Sequence, residues 1–414
     1  MRKKILTIVA LFAFVMPLSA QTVSEKEAES LSAKYVANYD SLLNSYYIRK
    51  YSHRDARHNR SASLADFDQV PDSVIAARLR SLHTVIPMTY NNVVRSYIRM
   101  YLKRMSSRLD AMLTLSEYYY PMFEEVLNRY GVPEELKYLT IVESAMNPQA
   151  TSRVGAAGLW QFMYTTGKAY DMEVNSVVDD RRDPYKSTVA AARYLKDLYR
   201  IYGDWSLAIA AYNCGPGNIN KAMARTGGKN FWQIYNALPQ ETRGYIPAFI
   251  AATYVMKFYP EHGLRPQKIS LPVHSDTVVV HNDLLLCYVS KYVGISMEEL
   301  KTLNPQYRID LIPGASGDYS LCLPVGKMSA FMHCQDSIAI MSRDSLDRKP
   351  TTVAPEQQSV AEQSRGGSSK YHTVRKGETL SSIARKYGTS VSALKKKNKL
   401  RSEKIRYGQR LKVS

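Results

Sequence analysis

The sequence predicts a mainly α-helical domain over residues 70–265, followed by two small domains over residues 276–331 and 370–414 that each combine short strands with helices. Apolar residues recur at three- and four-residue spacing through most of 70–265, the period of a helix that packs one face on a core. The two small domains are predicted from an internal repeat. A chain of 414 residues is also too long for one ordinary hydrophobic core.

The internal repeat aligns two stretches without gaps at an offset of 94 residues, from Val280 to Val374. Between the copies, residues 342–369 are rich in Ser, Gln, Pro and Gly and have no hydrophobic period, so they predict a flexible linker. The matched pairs are Val280 and Val374, Leu286 and Leu380, Val289 and Ile383, Gly294 and Gly388, Ser296 and Ser390, Leu300 and Leu394, and Asn304 and Asn398.

The first 20 residues have the features of a secretory signal peptide. Basic residues 2–4 precede an apolar run over 5–16, and Ala20 is a small residue suited to the cleavage point. That run is too short to cross a bilayer as a helix. Residue 21 is Gln rather than the Cys of a lipoprotein signal, so we expect an exported protein of the periplasm or cell envelope that is not a lipoprotein.

After the signal peptide, residues 21–69 are polar with weak helical periodicity over 25–47, and the clear helices begin beyond residue 70. Glycines and prolines set the predicted helix ends, because Gly adopts the left-handed conformation at a C-terminus and Pro excludes the helical region for its predecessor. The predicted helices are 71–81, 91–112, 116–130, 133–146, 162–170, 185–202, 205–212 and 241–259.

The helix predicted over 133–146 carries the candidate catalytic residue, Glu143. Leu136, Leu139 and Thr140 fall on the same face at three- and four-residue spacing, so the Glu143 carboxyl points toward the protein. Desolvation and the negative end of the helix dipole both raise the pKa of such a group. A carboxylic acid that stays protonated near neutral pH can donate a proton to a glycosidic oxygen. A partly exposed glutamate at a helix end is the alternative.

Three further motifs accompany this helix. Residues 155–161 read GAAGLWQ, in which the small residues allow close approach of backbone to a ligand, Trp160 offers an aromatic platform and Gln161 an amide. Residues 211–217 read AYNCGPG, and residues 241–247 read ETRGYIP. Residues 179–184 form a charged turn, which is either a paired loop that shapes a cleft or a solvated turn.

The order Glu-Ser, then Ser152 and GAAGLWQ, then AYN and ETRGYIP resembles the lytic transglycosylases of the goose-type lysozyme superfamily, and most closely their membrane-bound lytic murein transglycosylase D branch. The resemblance covers about residues 70–264. It implies a lysozyme-like catalytic domain with an N-terminal helical extension, in which Glu143 is catalytic. The substrate-binding residues that it implies are Ser152, Gln161, Tyr212, Asn213 and Tyr245. It further implies that Tyr245 reaches the catalytic glutamate.

The second copy of the repeat, residues 370–414, resembles a LysM module, a βααβ domain that binds glycans containing N-acetylglucosamine. The first copy, residues 276–331, has Asp283, Leu284 and Leu285 where the second has Gly377, Glu378 and Thr379. We therefore interpret the first copy as a degenerate LysM-like domain. A flexible linker would let the terminal module hold a glycan strand while the catalytic domain acts nearby.

The four cysteines do not predict a metal site. Cys214, Cys287, Cys322 and Cys334 lack the spacing of zinc ligands, so no metal or cofactor is predicted. Two alternatives stay open: Cys287 forms a disulfide with Cys322 or Cys334, or the cysteines pack as small apolar side chains.

The basic residues are concentrated at the end of the chain. Formal net charge is +19, and residues 370–414 carry 14 Lys and Arg against 2 Glu, a net of +12. Export and the LysM pattern favour anionic wall polymers or a membrane surface over nucleic acid.

The resemblance implies a peptidoglycan lytic transglycosylase that cleaves the β-1,4 bond between MurNAc and GlcNAc and leaves 1,6-anhydroMurNAc ends. Its partners are then the GlcNAc-MurNAc glycan strands. Asp179, Asp180, Asp183 and Glu241 could each be a second carboxylate, so a hydrolytic goose-type-lysozyme-like muramidase is an alternative. A non-catalytic cell-wall-binding protein is the other alternative.

Overall fold

The computed structural model describes residues 24–43, 66–266 and 274–347, together with most of 371–413. Within that last stretch, residues 375–377, 388, 399, 401, 403, 404 and 407 are not described. The predicted signal peptide and residues 348–369 of the predicted linker lie outside the described residues. The described residues up to 347 form one compact unit, and the C-terminal stretch forms a second.

The N-terminal part of the first unit is helical, as predicted. Short 3₁₀ turns at Asp66–Gln69, Glu134–Tyr138, Tyr235–Ala237 and Pro260–His262 connect the helices. The helices are Glu25–Leu43 (α1), Asp72–Arg80 (α2), Asn92–Arg104 (α3), Ser106–Tyr130 (α4), Leu139–Ser144 (α5), Tyr164–Ala169 (α6), Pro184–Tyr202 (α7), Trp205–Cys214 (α8), Pro216–Thr226 (α9), Phe231–Ile234 (α10), Gln240–Arg243 (α11) and Tyr245–Lys257 (α12).

Local sequence signals determine both ends of helix α7, which is why they could be predicted. Pro184 occupies the first turn, where its missing N–H would have no intrahelical partner. The Asp183 carboxylate accepts the Lys186 backbone N–H at 2.8 Å and caps the N-terminus. Gly203 ends the helix with φ of 63°, in the left-handed region that glycine adopts without steric cost.

Several predicted helix boundaries are wrong. The sequence predicted helices over 91–112 and 116–130, whereas α3 ends at Arg104 and α4 runs unbroken from Ser106 to Tyr130. Leu113 and Leu115 are buried and carry the helix across the predicted gap, which contains no turn residue. The predicted helix 241–259 is likewise divided at Gly244, where a Cβ atom would lie 2.0 Å from the Tyr97 hydroxyl oxygen.

Helix α12 is the centre of the helical core. Every residue from Tyr245 to Met256 is buried, and the helix packs against α3, α5 and α8. A helix that is apolar on all sides is stable only when other elements surround it. This burial fixes Tyr245, at the N-terminal end of α12, close to the end of the short helix α5.

The weakly periodic N-terminal segment contains a helix that packs on this core. Ala28 and Leu31 of α1 are buried, and α1 lies against α3. The Tyr35 hydroxyl donates to the Val142 carbonyl at 2.9 Å, one residue before Glu143. Residues 44–65, which include the rest of the predicted periodic stretch, lie outside the described residues.

The first copy of the repeat forms the C-terminal part of the first unit, which we call the LysM-like domain. Strands β1 and β4 pair antiparallel from Ser275 opposite Pro324 to Val280 opposite Tyr319, and β2 and β3 pair antiparallel. Its elements are Ser275–Val280 (β1), Asp283–Leu285 (β2), Leu286–Val293 (α13), Met297–Leu303 (α14), Leu311–Pro313 (β3), Tyr319–Pro324 (β4) and Val325–Asp347 (α15).

Helix α15 corrects the predicted linker, which was expected to begin at residue 342. The helix continues to Asp347, so residues 342–347 belong to the folded domain. Ser342 is fully buried, and its hydroxyl oxygen accepts the Leu285 backbone N–H at 3.0 Å. The polar composition of this turn misled the linker prediction, because Ser342 satisfies its hydroxyl inside the protein.

The C-terminal module has the predicted βααβ order. Strands Tyr371–Thr373 (β5) and Arg410–Lys412 (β6) pair antiparallel, and helices Leu380–Lys386 (α16) and Val391–Lys397 (α17) lie between them in sequence. Leu380, Ile383, Leu394 and Leu411 are among its buried core residues. Three of these four positions belong to the repeat recognised in the sequence.

The repeat is also visible in matching hydrogen bonds. The Asn304 amide nitrogen donates to the Leu300 and Cys322 carbonyls at 2.9 and 2.8 Å, and its oxygen accepts the Cys322 N–H at 2.8 Å. Asn398 makes the same three bonds, to the Leu394 carbonyl and to both backbone groups of Lys412. A single amide therefore joins the second helix to the last strand in both copies.

All four cysteines are free, so the alternative of a disulfide at Cys287 is not realised. Cys214 packs against the helical core as an apolar side chain. Among the described helices, none combines the length and apolar character needed to span a bilayer.

Candidate active site

Glu143 lies in the last turn of α5, directly after the 3₁₀ turn Glu134–Tyr138. The predicted helix ended near Met146, but α5 ends at Ser144 because Ala145 and Met146 both adopt left-handed backbone, with φ of 52° and 60°. Residues other than Gly rarely adopt this conformation, so no local signal predicted it. The two residues turn the chain sharply immediately after Glu143.

The side chain of Glu143 points as the helical spacing predicted. Leu136, Leu139 and Thr140 on the same face are all buried. Glu143 is only partly buried, so its carboxyl lies against the core while part of the side chain meets solvent. This is the position that a group must occupy if it is to contact both a low-dielectric interior and an incoming substrate.

The Tyr245 hydroxyl donates a hydrogen bond to Oε1 of Glu143. Burial raises the pKa of the Glu143 carboxyl to about 7, and this hydrogen bond partly opposes the increase because it stabilises the carboxylate. The Glu143 carboxyl can therefore hold its proton near neutral pH. A carboxyl in that state can act as an acid and, after losing its proton, as a base.

Tyr212 lies on the same side of the core. Its hydroxyl donates to the Trp160 carbonyl at 2.7 Å. This bond ties α8 to residues 155–162, which contain the GLWQ motif and which we call the GLWQ segment. Burial, and to a smaller extent the charge of Glu143, raise the pKa of Tyr212 well above its usual value. Tyr212 therefore stays a neutral hydrogen-bonding group beside the carboxyl.

Trp160 is not the aromatic platform that the sequence predicted. Its ring is fully buried, packs at 5.7 Å from the Phe123 ring centroid, and donates its indole N–H to the Thr188 hydroxyl at 2.9 Å. The indole thus holds α4, α7 and the GLWQ segment together from the inside. The Trp160 side chain therefore supports the fold, and the Trp160 backbone carbonyl contacts the site by accepting the Tyr212 hydroxyl.

Asn213 is joined to the ETRGYIP motif. Its amide oxygen accepts a hydrogen bond from the Thr242 hydroxyl at 3.0 Å, three residues before Tyr245. Thr242 is 1% exposed, and the sequence analysis did not single it out. Its position inside the same seven-residue motif was the available signal.

Gln161 and Ser152 lie on the loop that follows α5. Gln161 has φ of 48°, and its amide nitrogen donates to the Gly158 carbonyl at 2.8 Å, which directs the amide oxygen elsewhere. The Ser152 N–H donates to the Ala156 carbonyl at 2.9 Å, and the Ser152 hydroxyl oxygen accepts the Ala156 N–H at 3.0 Å. Both predicted substrate-binding residues are partly exposed.

Helix α5, which carries Glu143, is bonded directly to this loop. The Ser144 hydroxyl donates to the Leu159 carbonyl at 2.9 Å, while Ser144 itself is fully buried. The structure thus links Glu143, Tyr245, Tyr212 and the loop through hydrogen bonds among neighbouring residues. Ser152 is at the outer end of the loop, bonded to Ala156 rather than to the catalytic helix.

The charged turn 179–184 is a paired and buried loop, the first of the two predicted alternatives. Arg181 is 8% exposed and donates to both carboxylate oxygens of Asp179, at 2.8 and 2.9 Å. Its remaining guanidinium nitrogen donates to the Gly155 and Phe162 carbonyls at 2.9 and 3.1 Å. Arg181 therefore holds the two ends of the GLWQ segment, a role that the sequence analysis missed.

Gly158 shows how closely this turn approaches the loop. Its φ is +85°, and a Cβ atom there would lie 1.7 Å from the Arg181 carbonyl oxygen. No side chain fits in that space. The glycine of the GLWQ motif is thus required by contact between two backbone segments rather than by a ligand.

Three of the four other candidate carboxylates have partners of their own, and the fourth is exposed. Asp180 pairs with the Lys186 ammonium at 3.0 Å, and Asp183 caps α7. Asp179 holds Arg181, while Glu241 lies exposed in the first turn of α11. Within the described residues, no group of three or more His, Cys, Asp or Glu side chains could hold a metal ion.

Comparison with known families assigns the three parts of the chain. The model described as "Transglycosylase SLT domain" matches residues 121–235. The model described as "Lytic transglycosylase MltD, LysM-like domain" matches residues 274–340, and the one described as "LysM domain" matches residues 372–414.

A curated relative decides the family. Membrane-bound lytic murein transglycosylase D of Escherichia coli strain K12 is 34% identical to this chain over 333 residues, which cover 78% of the chain and 69% of the relative. The chain belongs to the membrane-bound lytic murein transglycosylase D family. Membership confirms the predicted resemblance, the enzyme class and the lysozyme-like fold class with LysM-type domains.

Two other transglycosylases match smaller parts of this chain. Membrane-bound lytic murein transglycosylase F of Serratia proteamaculans strain 568 is 30% identical over 220 residues, which cover 47% of the chain and 41% of the relative. The crystal structure of a 70 kDa soluble lytic transglycosylase from Escherichia coli aligns at 18% identity with a TM-score of 0.30, covering 57% of the chain and 43% of the solved chain. These comparisons concern whole domains, so the catalytic and substrate-binding roles of individual residues in this chain stay predictions.

Proposed function

We propose that the chain is a peptidoglycan lytic transglycosylase that cleaves the MurNAc-GlcNAc β-1,4 bond without water, and that its C-terminal LysM module retains it on the glycan. The observation that carries this proposal is the Glu143 carboxyl, whose pKa is raised to about 7 by burial and whose Oε1 accepts a hydrogen bond from Tyr245. One carboxyl of this kind can serve both halves of the reaction.

In the first half of the reaction, Glu143 donates its proton to the glycosidic oxygen, and the bond from that oxygen to MurNAc C1 breaks. The Tyr245 hydroxyl stabilises the carboxylate that remains. In the second half, the MurNAc C6 hydroxyl oxygen bonds to C1, and Glu143 takes up the hydroxyl proton. The enzyme is restored, and the products are a GlcNAc with a free O4 hydroxyl and a 1,6-anhydro ring.

The roles of the remaining predicted residues follow from their positions. Gln161 and Ser152 sit on the loop that is bonded to the catalytic helix, where we assign them to binding of sugar hydroxyl and acetamido groups. Tyr212 and Asn213 extend the same side of the core through α8. These assignments are supported by the hydrogen bonds that join the loop to α5 and to α8, and by the motif order.

A single-carboxyl mechanism fits the partners of the other acids. Hydrolysis would ordinarily need a second carboxylate to activate water or to attack the sugar. Asp179 and Asp180 are 2% and 3% exposed and paired with cations, and the Asp183 carboxylate caps a helix. These commitments favour intramolecular attack by the C6 hydroxyl.

The deciding experiment is digestion of purified sacculi in water enriched in heavy oxygen, followed by mass spectrometry of the released muropeptides. Transglycosylation yields 1,6-anhydro ends that contain no solvent oxygen. Reducing ends labelled with solvent oxygen would instead establish a hydrolase. A Glu143→Gln variant digested in parallel should release neither product.

We propose a cell-envelope location for the enzyme. The chain has a predicted signal peptide over residues 1–20, and its substrate lies outside the cytoplasm. The excess positive charge of residues 370–414 is suited to peripheral association with anionic wall polymers or a membrane surface. Fractionation of cells before and after a high-salt wash would test this association.

A further inference from the structure

The LysM-like domain is built partly from a residue of the catalytic domain. Val178, in the segment between α6 and α7, is fully buried within the hydrophobic core of the LysM-like domain. Its backbone forms a β-bridge with Tyr307, in the connection between α14 and β3. A side chain of one domain placed in the core of another makes the two pack as one body.

Four hydrogen bonds surround this contact. The Asp179 N–H donates to the Gln306 carbonyl at 2.9 Å, and the Arg308 N–H donates to the Val177 carbonyl at 2.8 Å. The Arg308 guanidinium donates to the Asn175 carbonyl at 2.8 Å. At the edge of the contact, the Tyr319 hydroxyl donates to the Glu173 carboxylate at 2.8 Å. The segment 173–179 is therefore held along most of its length by the LysM-like domain.

The same segment holds the loop beside the catalytic helix. Asp179, whose backbone is bonded to the LysM-like domain, binds the Arg181 guanidinium through its carboxylate. Arg181 in turn binds the carbonyls of Gly155 and Phe162 on the GLWQ segment. A continuous series of direct contacts thus runs from the 304–308 connection to the loop that carries the proposed substrate-binding residues.

The last step of the series reaches α5. The Leu159 carbonyl, within the segment that Arg181 holds, accepts the Ser144 hydroxyl, and Ser144 is the neighbour of Glu143. Each link is a hydrogen bond to a backbone group or a paired ion. Such links fix geometry more firmly than contacts between flexible side-chain ends, because backbone groups have no rotamers to change.

The connection that contacts the catalytic domain has the same length in both copies but different residues. The ungapped offset of 94 that matches Asn304 to Asn398 also matches Gly314 to Gly408. Within this stretch, Gln306, Tyr307 and Arg308 correspond to Leu400, Arg401 and Ser402. The C-terminal module therefore has no guanidinium at the position from which Arg308 donates to the Asn175 carbonyl.

We propose that the LysM-like domain is a positioning element of the active site, a task distinct from glycan retention by the C-terminal module. Through Gln306, Asp179 and Arg181 it holds the carbonyls of Gly155 and Phe162. It thereby fixes the substrate loop, residues 152–162, relative to Glu143, because the Leu159 carbonyl of that loop is bonded to Ser144. This inference rests on the proposed function, since it assigns the loop to substrate. Tyr307 and Arg308 are positioning residues in this scheme and do not contact the reacting atoms.

The test compares two double variants of the full chain. Val178→Ala with Arg308→Ala removes the buried side chain and the guanidinium that join the domains. Val289→Ala with Arg343→Ala is the matched control, because Val289 is equally buried in the same core and Arg343 is exposed on α15. Both variants truncate one core valine and one surface arginine, so they weaken the LysM-like domain alike.

Cleavage of short soluble glycan fragments provides the first readout. The Val178 and Arg308 variant should lose roughly tenfold in kcat, less than the ~10²-fold that a misplacement of 1 Å can cost. Its KM should change by less than about twofold, because the rest of the groove still binds the ground state. The control should keep the kcat of the parent.

Amide hydrogen exchange provides a second readout that does not depend on activity. The N–H groups of Ala157 and Phe162 each donate to the carbonyl of the other residue across the loop. They should exchange faster in the Val178 and Arg308 variant and at the parental rate in the control. Parental kcat and parental exchange in this variant would overturn the proposal, as would an equal loss in the control. A parent that releases no anhydro product would overturn the proposed function alone, because exchange still decides the positioning role.

Discussion

The hydroxyl of Tyr245 donates a hydrogen bond to Oε1 of Glu143 across 102 positions of sequence. Two opposing effects meet at this carboxyl. Burial raises its pKa to about 7, and the phenol hydrogen bond limits the increase. The balance keeps both protonation states populated at neutral pH, which a group that acts first as an acid and then as a base requires.

Replacement of Glu143 by Gln should lower cleavage of sacculi by at least ~10²-fold, because the amide keeps the shape but cannot donate the proton. Muropeptide release measured by liquid chromatography checks this. Glu134→Gln, an exposed glutamate in the first turn before α5, is the control and should retain parental activity. Retention of most activity in Glu143→Gln would remove Glu143 from the catalytic role.

The same variant should be more stable than the parent above neutral pH. The pKa of Glu143 is 4.5 in the unfolded reference and about 7 in the folded protein, so the folded state disfavours the ionised carboxyl. The stabilising effect of the protonated form is complete below about pH 4.5 and is lost as pH rises through about 7. Thermal midpoints of the two proteins should therefore diverge between these pH values, with Glu143→Gln the higher. A constant difference across this range would contradict the raised pKa.

Replacement of Tyr245 by Phe should move the basic limb of the pH dependence of kcat/KM to higher pH. In the parent, the Tyr245 hydrogen bond lowers the pKa of Glu143. Without that bond, burial raises the pKa of Glu143 further, so the carboxyl stays protonated to higher pH. Activity at the optimum should fall roughly tenfold because the carboxyl loses its fixed orientation. Tyr254→Phe on the same helix removes a hydroxyl bonded to Arg78 and should leave the pH dependence unchanged.

Two glycines of the substrate loop should respond differently to replacement by Ala. Gly158 and Gly155 both have positive φ, but only at Gly158 does a Cβ meet another atom, the Arg181 carbonyl oxygen at 1.7 Å, whereas nothing lies within 4 Å at Gly155. Gly155→Ala should cost about 1–2 kcal/mol of unfolding free energy from backbone strain alone. Gly158→Ala should cost several kcal/mol or displace the loop. Urea denaturation of both variants measures the difference, and equal costs would show that the close approach is absent in solution.

Deletion after Asp347 should separate wall binding from chemistry. The cut leaves helix α15 intact and removes a module that carries a net charge of +12 over residues 370–414. Binding to insoluble wall should weaken and its digestion should slow, while short soluble fragments are cleaved at nearly the parental rate. Added salt should weaken wall binding of the intact chain more than that of the truncated chain. Loss of activity on soluble fragments would instead make the module part of the active site.

Much of the fold could be read from local sequence signals. Gly131 and Gly203 end helices as predicted, because left-handed backbone at a helix C-terminus is a local property of glycine. The repeat was found because Asn304 and Asn398 perform the same task and therefore occur at the same place in each copy. The division at Met105 was missed because no local signal accompanies it.

The site was predictable only in part. The spacing of Leu136, Leu139 and Glu143 was enough to direct the carboxyl toward the core. Tyr245 was one tyrosine among 31, and only the motif resemblance distinguished it. Arg181 carries no signal in sequence, because its partners Gly155 and Phe162 are 26 and 19 positions away and are backbone carbonyls, which every residue possesses.

The residues that connect α14 to β3 limit how this chain can be rearranged. Two copies of one repeat invite the view that they are interchangeable parts, as in engineered fusions that exchange or add carbohydrate-binding modules. At the positions that match Gln306, Tyr307 and Arg308, however, the C-terminal copy has Leu400, Arg401 and Ser402, so the guanidinium that contacts segment 173–179 is absent there. A chimera that places the C-terminal copy directly after residue 273 would leave Val178 without the core that surrounds it. The duplication has therefore produced one portable module and one that can no longer be moved.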